Sequence, residues 1–232
     1  MVTYQLKIHL LSETTFGRGD GVAGAVDQEV VHDQYGFPFL RGRTLKGVLS
    51  EECDGIVALL PGQARWNKAL SYLFGKAGSL AMTEALWYYG DAMLPELLRR
   101  KVMLQQHNNE LQPRDILHSL TTIRRQTAID PGSGTPDTHS LRTARVLIRK
   151  LTFTSQLTAV EPHNDQQSID NSEQGRSIDD ELMLLAAGCR ALRHIGAART
   201  RGRGHIRCSL HDQNNKDITE TLIASLKKVV TQ

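Results

Sequence analysis

Polar and apolar residues alternate from Val2 to Leu11, with Val2, Tyr4, Leu6, Ile8 and Leu10 on one side, and this two-residue period predicts a half-buried strand. The chain then changes character. Phe16-Gly-Arg-Gly-Asp-Gly-Val-Ala-Gly24 packs four glycines into nine residues, which excludes a regular element and lets backbone amides approach a ligand. Val26 to Val31 reads as a short extended piece. Tyr35-Gly-Phe-Pro-Phe39 is a turn, and Thr44 stands where it would cap a helix running through Leu49 to about Ile56. Trp66, Leu70, Leu73 and Phe74 recur at helical spacing, with Gly75 as the stop, and Ala85 to Tyr89 is a strand candidate leading into Gly90-Asp-Ala-Met-Leu94.

Residues 112–150 are richer in polar, turn-forming and basic residues. Asp130-Pro-Gly-Ser-Gly-Thr-Pro136 lies between two extended flanks, the pattern of a long exposed hairpin-like insertion. Strand character returns over 147–159. A polar loop at 161–177 precedes a helix over 180–194, capped by Ser177 or Asp179, with Leu182, Leu185, Ala186, Cys189 and Leu192 as its apolar stripe. Ile206 to Leu210 closes as a strand. Strand, helices, strand, long insertion, strand, helix, strand is the order of a split βαβ plan, so the expected fold is α+β: a ferredoxin-like sheet with helices on one face and decorated loops. No internal repeat or low-complexity tail interrupts it.

Composition narrows the class. With 232 residues, 40% hydrophobic and 23% charged, the chain can bury a real core, and one domain with insertions is preferred to two small domains sharing a core. The N-terminus has neither a signal-peptide core nor a membrane-spanning length. Cys53, Cys189 and Cys208 are scattered without metal-ligand spacing, which fits a reducing cytoplasm without disulfides and argues against structural zinc. A net charge of +3 says little about partners, because nucleic-acid binding depends on local clustering of cations. Their distribution says more. No acidic residue falls between Glu181 and Asp212, while Arg190, Arg193, Arg199, Arg201, Arg203 and Arg207 all do.

Three constellations carry candidate chemistry. In Gly196-Ala-Ala-Arg-Thr-Arg-Gly-Arg-Gly204, glycines permit close approach and alternating arginines offer forked donors matched to phosphate oxygens. In Leu40-Arg-Gly-Arg-Thr-Leu-Lys-Gly47, a helix N-terminus would join its free amides to the charges of Arg41, Arg43 and Lys46, with Thr44 beside them. That segment lacks the Gly-Lys-Ser/Thr ending of a phosphate loop, so nucleotide hydrolysis is not suggested. Asp27 follows the early glycine-rich loop, where a carboxylate can orient a ribose hydroxyl or hold a hydrated metal ion. Glu29 and Asp33 read as a solvated strand edge and a turn residue, and His32 as a surface residue with no nucleophile to serve. Arg18 in the early loop, and Arg124, Arg125 and Arg142 on the insertion's flanks, complete the set of candidate RNA-contacting cations.

Taken together, these segments resemble the RAMP superfamily, in particular the repeated backbone subunit of type III CRISPR effector complexes. Asp27 to Gly47 is similar to that family's run of aspartate, strand, proline-bearing turn and Gly-Ser-Ser-Leu-Lys-Gly. Leu73-Phe-Gly75 and Tyr89-Gly-Asp-Ala92 resemble its next two landmarks, and Gly196 to Gly204 its C-terminal glycine-rich loop. The likeness runs from about residue 2 to 210. It implies an RRM-like palm built mainly from 2–60, 85–94 and 147–212, a helical insertion at about 61–84, and a thumb at about 112–150 that wedges between guide and target RNA.

The resemblance also implies partners and a reaction. The partners are a guide RNA, a target RNA, copies of the chain itself or paralogous backbone subunits, and other type III effector subunits, with no membrane. Target RNA would be cut at regular intervals through Asp27, usually with a divalent magnesium or manganese ion. The target's 2′-hydroxyl would attack the adjacent phosphate, leaving a cyclic phosphate and a 5′-hydroxyl. Two departures stand out: Arg41-Gly-Arg-Thr-Leu-Lys replaces a more usual Pro-Gly-Ser-Ser-Leu-Lys, and Gln28-Glu29 follows the aspartate where relatives carry an uncharged residue and a proline. A non-catalytic scaffold of the same kind is the alternative. A stand-alone endonuclease maturing the guide precursor would need an acid–base set that the scattered histidines do not propose.

Overall fold

The computed structural model describes residues 2–22, 26–75, 85–160 and 176–231. The end of the early glycine-rich loop at Gly24, residues 76–84 of the helical insertion and most of the polar loop at 161–177 lie outside them. In chain order the elements are β1 (Val2–Leu10), α1 (Gly42–Val57), α2 (Gln63–Phe74), β2 (Trp87–Tyr89), α3 (Glu96–His107), α4 (Pro113–Leu120), β3 (Thr121–Gln126), β4 (Arg142–Leu147), β5 (Thr152–Ala159), α5 (Ile178–Ala191), β6 (Ile206–His211) and α6 (Thr219–Val230).

β1 is one of the two inner strands of the sheet, and its buried positions alternate over its second half. Leu6, Ile8 and Leu10 are fully buried while Lys7 and His9 point to the other face. β1 pairs antiparallel with β5 and with β6, and β5 pairs antiparallel with β2, in the order β2-β5-β1-β6. β1 and β2 therefore run parallel with β5 between them, which is the split βαβ arrangement of a ferredoxin-like sheet. The register sets Ile8 opposite Phe153 and Cys208, and Leu6 opposite Ser155 and Leu210. That apolar face is covered by α1, α2 and α5.

The helices dock through period-matched stripes. On α1, Leu45, Leu49, Cys53 and Val57 recur every four residues and all are buried. α5 approaches it closely at Gly188, where an added Cβ would lie 2.3 Å from Cys53 Sγ. Each fully buried leucine in this layer contributes roughly 1.5–3 kcal/mol by leaving water. α6 continues the layer by packing on α5.

Several expectations change. Thr44 does not cap α1; the helix begins at Gly42, Arg41 takes the cap position in extended backbone, and Arg41 gives no side-chain bond. The acceptor comes from far away instead, since Asp91 Oδ1 receives the Gly42 amide at 2.7 Å. Ser177, not Asp179, caps α5 by accepting from the Asp180 amide, and the helix spans 178–191 rather than 180–194. The insertion at 112–150 opens with helix α4, and only β3 and β4 make the hairpin. Leu147 ends β4, so residues 147–159 are two strands separated by a turn in which Lys150 takes a φ of 71°. α3, α4 and α6 add to the elements that the sequence pattern predicts. α3 has no fully buried residue, so its apolar period is weak.

Candidate nucleic-acid interface

The loop from Gly196 to Gly204 is fixed at both ends. Gly196 takes a φ of 89°, and a Cβ there would stand 2.3 Å from Thr14 Oγ1 and 2.6 Å from the Thr15 carbonyl. The Ala197 amide donates to Thr15 O and the Gly204 amide to Glu13 O. Between these anchors the chain makes one 3-10 turn at Arg199–Arg201. The fixed ends hold up exposed Arg199 and Arg201 and half-buried Arg203. Arg199 Nη1 lies 3.9 Å from Glu51 Oε2, which sets the loop beside α1.

The start of α1 and the Tyr89–Ala92 segment form a single contact. Leu40 bridges Ala92, and Gly42 must be glycine because a Cβ would meet the Tyr89 carbonyl at 2.1 Å. The first free amide of the helix is taken by the Asp91 carboxylate. What this end offers an anion is therefore mainly the exposed side chains of Arg41, Arg43 and Thr44. Lys46 is half-buried, and desolvation pulls its ammonium below the usual lysine range.

Asp27 is positioned by the hairpin. Residues 26–31 run beside β4 in parallel: the Asp27 and Gln28 amides donate to Thr143 O, and the Arg145 amide donates to Gln28 O. The Asp27 carboxylate is exposed, and its Oδ2 accepts from the Thr143 amide at 2.6 Å and the Thr143 hydroxyl at 3.0 Å. The amide, then the hydroxyl, hold this carboxyl below the usual aspartate range, with Arg142 adding to the effect. Oδ1 takes no hydrogen bond among the described residues.

Glu29 corrects the sequence reading. It is buried, not solvated, and its Oε1 accepts from Arg145 Nε at 2.9 Å and from the Val30 amide. Arg145 Nη1 also reaches Thr121 Oγ1, so one buried pair clamps the 26–31 segment to both hairpin strands. Asp33 is the turn residue expected, accepting the Tyr35 and Phe37 amides, and it further pairs with Arg99 of α3. His32 Nδ1 sits 3.0 Å from the Asp33 carbonyl, with no nucleophile beside it among the described residues.

The hairpin divides the remaining cations. Cross-strand register puts Arg124 opposite Ala144 and Arg142 opposite Gln126 on one face, and Arg125 opposite Thr143 on the other. Arg124 forks onto Glu13 at 2.7 and 2.6 Å. Arg18 forks onto Asp20. Arg41, Arg43, Arg125, Arg142, Arg201 and Arg203 form no ion pair among the described residues. Glu13 and Arg149, which share a cleft with Arg124 and Arg203, were not singled out. Arg149 and Lys150 are a basic pair at a strand-to-strand turn, but no local spacing ties them to Arg203.

Among the described residues, no helix is long and apolar enough to cross a membrane, and no group of three or more His, Cys, Asp or Glu side chains gathers as a metal site. The three cysteines are buried and unpaired.

A ferredoxin-like antiparallel sheet, a basic glycine loop and a hairpin that carries the early aspartate define the class. The chain belongs to the RAMP superfamily, whose sequence profile matches residues 7–207. Among solved structures, it is similar to a chain of the type III-B Cmr-beta complex bound to cognate target RNA, seen by cryo-electron microscopy, with a TM-score of 0.63 at 13% identity over 96% of this chain and 99% of that one. A chain of the type III-B Cmr-beta apo state gives a TM-score of 0.62 at 13% identity, covering 90% and 97%. These likenesses define a shared fold. None of the curated proteins compared matches the sequence.

Proposed function

We propose that the chain is a guide-RNA-binding backbone subunit of a type III CRISPR effector and that it cuts complementary target RNA at regular intervals, with Asp27 at the cut. The observation that supports this most is the hold of Thr143 on Asp27. It fixes an exposed carboxylate beside the loop-end rungs of a hairpin ladder whose other strand carries Arg124 and Arg125. Family membership supports the RNA grip, and one of the similar chains belongs to a type III-B complex described as bound to cognate target RNA, the other to its apo state. The subunit would assemble with copies or paralogues of itself and other effector subunits along one guide. Base pairing would read the target, while this chain holds backbone and shape.

The geometry of Asp27 supports an orienting role: with Oδ2 held by Thr143, Oδ1 would orient the target's 2′-hydroxyl, and the lowered pKa suits that role better than proton abstraction. The 2′-hydroxyl gives up its proton to water as its oxygen bonds to the adjacent phosphorus, the bond from phosphorus to the 5′-oxygen breaks, and the departing 5′-oxygen takes up a proton from water. The hairpin's part is to distort the strand toward in-line geometry. Magnesium usually binds proteins through one or two carboxylates plus substrate phosphates, and a single exposed carboxylate fits that pattern. With such an ion bound, Asp27 Oδ1 would hold it in place of a direct contact with the hydroxyl, and the ion would supply charge neutralisation at the phosphate.

A scaffold without cutting activity is the second reading, favoured by Gln28-Glu29 standing after the aspartate where relatives carry an uncharged residue and a proline. Asp27→Asn in the assembled complex separates the two. The expected result is a loss of target cutting by about 100-fold or more, the contribution of one positioned acid–base group, with guide and target binding unchanged. Cutting at the wild-type rate at every site would remove Asp27 from the mechanism and leave the scaffold.

A further inference from the structure

Three arginines from distant parts of the chain line one open cleft of about 460 Å³: Arg124 of β3, Arg149 of the β4–β5 turn, and Arg203 of the glycine loop, with Leu11, Ser12, Glu13 and Gly202 completing the wall. One carboxylate stands among them. Glu13 takes the whole fork of Arg124, at 2.7 and 2.6 Å. Its main-chain carbonyl receives the Gly204 amide at 2.8 Å. Glu13 thus joins the hairpin by its side chain and the glycine loop by its backbone. Its carboxyl is held below the usual glutamate range, first by the Arg124 hydrogen bonds, with Arg203 and Arg149 adding attraction. Neither Arg149 nor Arg203 forms an ion pair among the described residues. The cleft therefore carries two cations beyond what Glu13 offsets.

We infer that this cleft is a binding site for one phosphodiester of RNA, in which Glu13 occupies the Arg124 fork until a phosphate oxygen takes its place. This rests on the RNA-binding reading above and goes beyond it by naming the site and its internal competitor. A carboxylate and a phosphate present the same pair of oxygens to a guanidinium fork, so one can replace the other without rebuilding the site. Glu13 and Arg124 are partly exposed, with side-chain exposures of 26% and 56%, so the exchange takes place in water, where such a pair is weak. RNA that reaches the cleft meets Arg149 and Arg203 at once and gains Arg124 by releasing Glu13. The main-chain bonds between Thr14 and Leu147 keep the hairpin in place while the Arg124 fork changes partner.

Binding of an unstructured single-stranded RNA oligonucleotide to the full chain, followed by fluorescence anisotropy across a salt series, tests this. Glu13→Gln is expected to tighten binding ~5-fold by freeing a charge-assisted donor pair. Glu110→Gln, an exposed carboxylate after α3 and outside the cleft, reports the general effect of one lost negative charge and should change binding less than about two-fold. In an Arg124→Ala background the gain from Glu13→Gln should fall to that of Glu110→Gln. Arg149→Ala should weaken binding and lower the salt slope by about 0.7, the value of one phosphate contact on a single strand. A Glu13→Gln effect no larger than that of Glu110→Gln, or one that stays larger than it in the Arg124→Ala background, overturns the site while leaving RNA binding intact. Absence of binding by the wild-type chain overturns the RNA reading and the site together.

Discussion

Asp27 and Thr143 hold one another from both ends: the Asp27 amide donates to the Thr143 carbonyl and hydroxyl oxygens, and the Thr143 amide and hydroxyl donate back to Asp27 Oδ2. The two residues are 116 positions apart, and so are Glu29 and Arg145, two residues further along the same parallel pairing. The early loop pairs with itself, Val22 with Val26 and Gly17 with Val30, but the Asp27 side chain is placed by β4, so movement of the hairpin carries the aspartate with it.

Thr143→Val removes the hydroxyl bonds and keeps the backbone amide bond, which is the larger cause of the lowered pKa. The Asp27 carboxyl should rise part of the way toward the ordinary aspartate range, and Thr143→Ser should return it to the wild-type value. Because the folded-state pKa is depressed, this interaction stabilises the fold above the unfolded pKa and is lost as pH falls through the folded one. Carboxyl carbon NMR titration reads the shift directly. An Asp27 pKa in Thr143→Val equal to or below wild type would show that the hydroxyl does nothing for the carboxylate.

The buried pair beneath that contact should be costly to break. Glu29→Ala leaves the Arg145 guanidinium in a site with no carboxylate, and urea unfolding should show a loss of about 3–5 kcal/mol, the usual cost of orphaning one partner of a buried ion pair. Glu29→Leu combined with Arg145→Met should recover most of it, since no charge then remains buried. A single-variant loss below about 1 kcal/mol would mean that water reaches Arg145 and the clamp is weak.

The sheet was legible because its strands obey a period. Leu6, Ile8 and Leu10 alternate cleanly, and so do Phe153, Ser155 and Leu157, and the order of strands and helices was enough to anticipate a ferredoxin-like plan. What the sequence hid depends on residues distant in the chain. Glu29 looks solvated until Arg145 arrives, Thr44 looks like a cap until Asp91 supplies the acceptor, and Glu13 has no partner until the hairpin folds across it. Helix α4 hid for another reason: Gln112 and Asp115 form a capping box with Pro113 at the first turn, a signal overshadowed by the polar, basic composition around it. The arginines of the glycine loop were visible as a cluster. Their neighbours were not.

Asp91→Ala removes the one acceptor that the Gly42 amide has among the described residues, because the Arg41 side chain provides none. The expected loss is about 1 kcal/mol, within the range for a removed helix cap, and Asp91→Asn should lose less because an amide oxygen still accepts. Thermal or urea unfolding measures both. Equal losses for the two variants would assign the effect to the negative charge at the helix N-terminus rather than to the hydrogen bond.

The glycine loop lends itself to substitution because its shape is fixed by main-chain bonds at Gly196, Ala197 and Gly204, not by its arginines. Replacing Arg199, Arg201 and Arg203 together with alanine should therefore leave the unfolding midpoint nearly unchanged. Guide RNA binding should respond strongly. Each phosphate contact on a single strand releases counterions worth a slope of about 0.7 in log affinity against log salt, so losing three contacts should flatten the slope by roughly 2. Arg203 should account for more than an equal share, since it is half-buried and stands in the cleft with Arg149, while Arg199 has Glu51 nearby and gives up part of its charge to it. Single variants ranked in that order would support the loop as a guide-RNA contact. A salt slope identical to wild type in the triple variant would move the RNA off this loop and leave its arginines to contacts between neighbouring subunits.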